Sequence, residues 1–502
     1  MFKASIIIDK ALIKSKIDDR LFGSFIEHLG RAVYGGIYEP GHPQADEDGF
    51  RKDVLELVKE LRVPMIRYPG GNYVSAFKWE DSVGPAADRP KRLDLAWRAV
   101  EPNLVGIDEF SRWCEKAGSE VMMAMNLGTR GIEDARNLVE YCNHSEGSYF
   151  SDLRRSHGRK EPYNFRTWCL GNEMDGPWQV GMKTAEEYGT LAEEVAKAVK
   201  MYDRDIELVA CGSSGPGIQT FPQWEATVLG HCYDHVDYIS LHHYVANRAD
   251  DIETFLAEST HFERYIKTVI STVDFVQAKK RNWNHRVRLS VDEWNVWDYL
   301  GEPSRANADW VEAPHLLETV YKFEDALVIG CFLIVLLRQS EQVRLGCLAQ
   351  LVNTIAPIMT ENGGPAWKQT IFWPFLHASL YGRGELIETL IQSPQYDNER
   401  FGNVPYFDAA AVFNREKNEI SVFCVNRHTK DKAELSLRLG GFPNAKLIEW
   451  LVLENGDLKL TNTKANPDAV KPSSRTDISI DGELLSAELG PLSWNVIRLG
   501  LA

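Results

Sequence analysis

From Leu21 to Asn353, short apolar runs alternate with stretches whose apolar residues recur at helical spacing. Apolar runs bounded by Gly, Pro or polar clusters read as buried strands, and a 3.6-residue recurrence reads as helix. The strand candidates are Leu21 to His28 (LFGSFIEH), Met65 to Tyr68 (MIRY), Glu120 to Asn126 (EVMMAMN), Arg166 to Glu173, Ile206 to Gly212 (IELVACG), Val236 to Tyr244 (VDYISLHHY), Val287 to Trp294 and Arg344 to Asn353 (RLGCLAQLVN). Helices are predicted over Asp46 to Leu61, with Val54, Leu57, Val58 and Leu61 on one face, and over Ile107 to Ala117, Ile132 to Asn143, Ala185 to Lys200, Phe262 to Lys279 and Pro314 to Leu337. Eight alternating β and α units predict an α/β fold, a (β/α)8 TIM barrel.

Polar residues recur where those strands end: Glu27, Asn72, Asn126, Asn172 with Glu173, His242 to Tyr244, Glu293 and Gln350. A buried strand in isolation has no need of a polar end, whereas a TIM barrel builds its chemistry there. After about residue 385 the texture changes. Short alternating runs such as Ala409 to Phe413, Ile420 to Val425, Ala433 to Leu439 and Trp494 to Leu499 are separated by turn clusters. That is the pattern of an antiparallel β-sandwich. The expected division is 1–17 as an N-terminal strand segment pairing with the sandwich, 18–384 as the barrel, and 385–502 as the C-terminal sandwich. No long linker separates them, so tight packing is expected.

Composition narrows the function. The 502 residues are 44% hydrophobic and 25% charged, which is ordinary for a globular protein with a large core. A dispersed net charge of −16 argues against nucleic acid or an anionic membrane surface as partner. The eight cysteines, at 114, 142, 169, 211, 232, 331, 347 and 424, show no C-x-x-C spacing and fit a reducing cytoplasm without a zinc site. The N-terminus alternates like a strand and lacks a signal-peptide h-region. The longest apolar run, Ala326 to Leu337, is shorter than the ~20 residues that span a bilayer. A soluble cytoplasmic protein is expected.

Two stretches carry the candidate chemistry. Thr167 to Trp178 (TWCLGNEMDGPW) delivers Asn172 and Glu173 past a buried strand, and Val287 to Trp297 (VRLSVDEWNVW) delivers Glu293. Isolated glutamates are usually solvated or salt-bridged. Two at strand ends, each beside Asn or Trp, fit the acid and the second carboxylate that cleave a glycosidic bond. An amide at Asn172 can hold a sugar 2-hydroxyl, and a Tyr244 hydroxyl can orient Glu293. His242 and His243 are adjacent on a strand and point to opposite faces, so they do not bind one metal ion. Gly70-Gly71 lacks the G-K-[ST] of a phosphate loop and reads as the turn presenting Asn72. Ser214 lacks the G-x-S-x-G of a nucleophile elbow and reads as a loop residue.

The sequence resembles glycoside hydrolase family 51, the α-L-arabinofuranosidases. The matching segments are FGSFIEHLGRAVYGGIY at 22–38, IRYPGGN at 66–72, WCLGNEMDGPWQVG at 168–181, DEWNVW at 292–297, CLAQLVNTIAPI at 347–358 and SWNVIRL at 493–499. The resemblance implies a (β/α)8 barrel with a jelly-roll-like C-terminal sandwich, no metal and no cofactor. It implies a retaining, exo-acting enzyme that releases terminal α-L-arabinofuranosyl units from arabino-oligosaccharides or arabinoxylan fragments, with Glu173 as general acid/base and Glu293 as nucleophile. Glu27, Arg67, Asn72, Asn172, Tyr244 and Gln350 fall on its arabinofuranosyl-binding positions, and Trp97, Trp178 and Trp297 on walls of the leaving-group side. A homo-oligomer, often a hexamer, is also implied. The alternatives on the same barrel are a β-glycosidase or endoglucanase, and a non-catalytic carbohydrate-binding protein, against which the intact Glu173 and Glu293 argue. The chain departs from the family pattern at Leu241 to Val245 (LHHYV, where many relatives carry His-Gln-Tyr), at Leu337 to Val343 (LRQSEQV) and in the loop after Trp297. These departures bear on the sugar beyond the arabinose subsite.

Overall fold

The computed structural model describes residues 1–301 and 308–501. The divergent loop after Trp297 includes 302–307, and that part lies outside the described residues.

Eight strands form a closed parallel barrel: β1 (Gly23–Phe25), β2 (Met65–Tyr68), β3 (Glu120–Ala124), β4 (Thr167–Leu170), β5 (Glu207–Ala210), β6 (Tyr238–Val245), β7 (Arg288–Val296) and β8 (Val343–Ala349). Each pairs with the next in sequence, and β8 returns to β1 through Cys347, Leu348 and Ala349. Alternation sorts the side chains. In β2, Met65 joins the barrel interior with Phe25, Met122, Cys169 and Leu345, while Ile66 and Tyr68 join the layer under the helices. Arg67 also points inward, its guanidinium 4.8 Å from the Phe25 ring centroid. The alternation breaks at two places that matter below: the ladder slips between Ser240 and His242 in β6, and between Val291 and Trp294 in β7.

The helices are α1 (Lys52–Leu61), α2 (Ile107–Ala117), α3 (Ile132–Asn143), α4 (Tyr149–Ser156), α5 (Ala185–Tyr202), α6 (Gln223–Cys232), α7 (Ile252–Lys280), α8 (Phe323–Arg338) and α9 (Phe372–Tyr381). Three of them, α4, α6 and α9, are additions to the expected set. Helix α7 starts ten residues before Phe262 because Asp251 caps it, accepting from the Glu253 and Thr254 N–H groups. Its first turns carry Thr254 and Glu258, whose side chains bond to the hairpin at 395–405 and blur the apolar period. Helix α8 starts at Phe323 rather than Pro314, where the Asp325 carboxylate accepts the Lys322 N–H at 2.7 Å and sets the N-terminus.

After the barrel, a seven-stranded and a five-stranded sheet face each other across a core that includes Ile6, Phe407, Val422, Leu437 and Leu485. The strand Phe2–Asp9 sits in the five-stranded sheet, parallel to Ala433–Gly440 and antiparallel to Leu390–Gln392. The strand Ile13–Lys16 joins the seven-stranded sheet beside Glu385–Ile387. Helix α8 is buried along Phe323 to Leu337 because it lies between barrel and sandwich. Gly330 permits that contact: a Cβ there would come within 2.6 Å of the Trp494 ring. A buried ion cluster crosses the same boundary, with Asp408 held by Arg427 at 2.7 Å and by Arg338. All eight cysteines are buried and free. No helix among the described residues is long and apolar enough to cross a membrane.

Candidate active site

The turn after β4 presents the first carboxylate. Gly171 takes φ +95°, which glycine adopts without strain, and Glu173 itself sits at φ +45° in the left-handed region. A non-glycine residue there costs about 1 kcal/mol or more, a strain that clusters at functional sites. The turn sends Asn172 and Glu173 into the barrel mouth. Trp178 Nε1 donates to Glu173 Oε2 at 2.7 Å, and His242 Nδ1 lies 2.8 Å from Glu173 Oε1.

The second carboxylate, Glu293, lies within β7 rather than past its end. Arg67 Nη1 donates to its Oε1 at 2.6 Å and the Tyr244 hydroxyl to its Oε2 at 2.8 Å. Arg67 Nη2 reaches Asn172 Oδ1 at 2.7 Å, and Asn172 Nδ2 reaches Asn72 Oδ1 at 3.2 Å, so one buried cation ties both halves together. Glutamate oxygens of Glu173 and Glu293, with a His242 nitrogen, all lie within 4.8 Å of one another.

Glu27 anchors the third side. Its Oε1 accepts the Tyr73 N–H at 2.8 Å and Trp97 Nε1–H at 2.9 Å, and Gln350 Nε2 lies 3.4 Å from Oε2. Gly71 allows this approach, since a Cβ would meet Glu27 Oε2 at 2.4 Å. Trp297 packs edge-on against Tyr244, centroids 5.1 Å apart, and touches the acid pair through that ring. Asn126, another polar strand end, serves the loop instead: it accepts from the Gly128 and Thr129 N–H groups and donates to Phe77 O.

Two residues absent from the expected set complete the site. His242 lies between Glu173 and Asp292, with Nε2 3.1 Å from Asp292 Oδ1 and Nδ1 3.6 Å from Glu293 Oε2. Strict alternation would point Asp292 away from Glu293. The slip in the β7 ladder lets both face inward. His243 does point outward, stacking on Phe262 at 4.8 Å.

Burial dominates the electrostatics. It raises Glu293 above the usual carboxylate range, against the pull of His242 and Arg67. It lifts Glu27 to about 8, against hydrogen bonds from Trp97 and Tyr73. For His242, burial disfavours charge, but Glu293, Asp292 and Glu173 outweigh it and hold the imidazole well above its ordinary value. Burial and Glu293 keep Tyr244 protonated, as a donor must be. The spacing of Glu173, His242 and Glu293 is that of a metal site. The imidazolium and Arg67 already supply the positive charge, and both imidazole nitrogens are engaged. This donor set does not suit a cation.

Two facing carboxylates with different donors, at the C-terminal mouth of a parallel eight-stranded barrel, define a glycoside hydrolase. Family models for the α-L-arabinofuranosidase 1 domain and the α-L-arabinofuranosidase C-terminal domain match residues 57–267 and 292–493. The chain is 56% identical to an intracellular exo-α-(1→5)-L-arabinofuranosidase of Halalkalibacterium halodurans over 497 residues, covering 99% of both chains. It belongs to the α-L-arabinofuranosidases of glycoside hydrolase family 51. An intracellular exo-α-(1→5)-L-arabinofuranosidase of Bacillus subtilis is 55% identical, again with 99% of both chains covered. A family 51 α-L-arabinofuranosidase from Bifidobacterium longum superposes with a TM-score of 0.95 at 43% identity over 99% of each chain.

Proposed function

We propose that this enzyme releases terminal non-reducing α-L-arabinofuranosyl units by double displacement, with Glu293 as nucleophile and Glu173 as general acid/base. The observation that carries the reading is the approach of the two carboxylates, whose oxygens lie within 4.8 Å. Retaining enzymes need about 5 Å, whereas an inverting pair leaves ~6.5–9.5 Å for water. The donors fit the roles. Arg67 and Tyr244 hold both oxygens of Glu293 and keep it ionised and aimed despite its burial. The 2.8 Å contact between Glu173 and His242 stores one proton, carried as imidazolium or as carboxylic acid. In the first step Glu293 attacks the anomeric carbon while Glu173 passes that proton to the departing oxygen. In the second, Glu173 takes a proton from water, which releases arabinose with retained configuration.

Glu27, Arg67, Asn72, Asn172, Tyr244 and Gln350 surround the arabinofuranosyl ring in this reading, with Trp97, Trp178 and Trp297 toward the leaving group. Both curated relatives are named for the α-(1→5) linkage and as intracellular. We take α-(1→5)-linked arabino-oligosaccharides as substrate and the cytoplasm as location. Family resemblance supports a homo-oligomer, a hexamer, which light scattering would test. The sheets support a division into barrel at 18–384 and sandwich at 385–502 joined by 1–17.

A panel of nitrophenyl glycosides tests the reading. Turnover is expected for the α-L-arabinofuranoside and little for the β-D-xyloside or β-D-glucoside. Preference for either of those two would overturn it.

A further inference from the structure

Between β2 and α2, the strands Arg92–Asp94 and Ala99–Glu101 form a hairpin of three residue pairs. So short a hairpin is marginal by itself and holds its place only where something outside fixes it. Leu93 and Leu95 are exposed, so apolar packing gives its outer side little hold. Its foot is tied to the barrel, where Glu101 Oε2 lies 2.8 Å from His28 Nδ1. Its tip turns on Asp94, whose Oδ1 accepts the Ala96 N–H at 3.0 Å and whose carboxylate also takes the Trp97 N–H. From that tip Trp97 gives its indole N–H to Glu27 Oε1 at 2.9 Å.

The next residue is spent on a different partner. Arg98 sits at φ +52°, a left-handed conformation that strains any residue with a Cβ. Its Nε donates to Ala308 O at 2.5 Å, and its guanidinium stands 4.7 Å from the Trp310 ring centroid, within reach of a cation–π attraction. The backbone follows: the Val100 N–H donates to Val311 O at 2.9 Å, Ala99 pairs with Val311 in parallel, and Lys91 pairs with Glu312. Residues 308–312 belong to the connection between β7 and α8, so they strap the hairpin from the side of the strand that carries Glu293. Local strain persists only where its surroundings over-determine it, and the strap is what does so at Arg98.

We infer that Arg98 and Trp310 are positioning residues: they clasp the hairpin to the strap and so hold Trp97 on Glu27, which grips the arabinofuranosyl ring. Glu27 Oε1 has two donors, the backbone N–H of Tyr73 and the indole of Trp97. The first is fixed by the turn after β2. The second comes from the hairpin, and the clasp on the adjacent residue is what sets it. The inference rests on Glu27's place in the sugar site as proposed above.

A double-mutant cycle on nitrophenyl α-L-arabinofuranoside tests it. Trp97→Phe keeps an aromatic ring and removes the bond to Glu27, while Arg98→Ala and Trp310→Leu open the clasp from either side. Each single change should lower kcat/KM about tenfold, one charged hydrogen bond's worth, through KM rather than kcat. In the Trp97→Phe background neither clasp change should lower it by more than about twofold further, because the contact through which they act is already gone. A clasp serving stability alone would lower the melting temperature and leave kcat/KM of the folded enzyme unchanged. Fluorine NMR of the 5-fluorotryptophan enzyme reads the position separately: the Trp97 resonance, identified by its loss in Trp97→Phe, should shift or broaden in both clasp variants. Losses that multiply in the double variants, or clasp variants with wild-type kcat/KM, overturn the inference. Wild-type kcat/KM in Trp97→Phe itself would instead sink Glu27's place in the sugar site. The Trp97 resonance then decides the clasp, which stands if the resonance moves and fails if it stays.

Discussion

Replacing His242 with glutamine tests how this site offsets the burial of the nucleophile Glu293. Glutamine preserves much of the shape and can hydrogen-bond one neighbour, but it cannot carry charge. The imidazole Nδ1 stands 3.6 Å from Glu293 Oε2, and unit charges at that distance attract by about 4–5 kcal/mol at an effective dielectric near 20. His242 also serves Asp292 and Glu173, which brings its effect on Glu293 toward the ~1.5–3 kcal/mol of a charged hydrogen bond. Burial already raises Glu293, and His242 is the first influence that pulls it back. Removing the cation therefore raises Glu293 further, by about 1–2 pH units at 1.36 kcal/mol per unit. The acid limb of kcat/KM against pH, which reports the free enzyme, moves upward by that amount. An acid limb that stays in place, or moves down, would refute the assignment of His242 as the counter-charge to Glu293.

Other outcomes follow from single contacts. Tyr244→Phe deletes the 2.8 Å bond to Glu293 and should lower kcat/KM about 10–100-fold with an unchanged melting temperature. Glu27 is held neutral by burial up to about pH 8 but ionises near 4.3 when unfolded, so the folded state binds the extra proton between those values and stability falls as pH rises through that window. Glu27→Gln removes this loss, and its melting temperature should drop less than wild type's between pH 5 and pH 9. Asp408→Ala strands Arg427 and Arg338 between barrel and sandwich, and urea unfolding should show a loss of about 3–5 kcal/mol with normal activity in the folded fraction.

The barrel is legible because its strands are apolar runs ended by polar residues. Met65–Tyr68, Ile107–Ala117 and Ile132–Asn143 coincide with their predicted bounds. Helix α6 escapes the pattern and α7 reads short because Glu225 and Glu258 face protein rather than water: Glu225, for example, accepts the Ser213 N–H at 2.8 Å. Glu173 and Glu293 stand out by position, and their structure brings Glu27, Arg67, Asn72, Asn172, Tyr244, Gln350, Trp97 and Trp178 around them. His242 stands among the polar strand ends and Asp292 in the DEWNVW segment, but the contacts that put His242 between Glu173 and Asp292 are not legible in the sequence. Pattern reading assumes strict alternation, and ladder slips at Ser240/His242 and Val291/Trp294 leave no mark in residue type.

Azide rescue tests the division of labour between the two glutamates most directly. Glu173→Ala keeps the nucleophile, so azide should attack the arabinosyl-enzyme, speed turnover of nitrophenyl α-L-arabinofuranoside and give the α-configured arabinosyl azide by NMR. Glu293→Ala keeps the acid, and azide in the nucleophile's place should give the β-configured azide. Reversal of the two configurations, or an α-configured azide from Glu293→Ala, would contradict the roles assigned here.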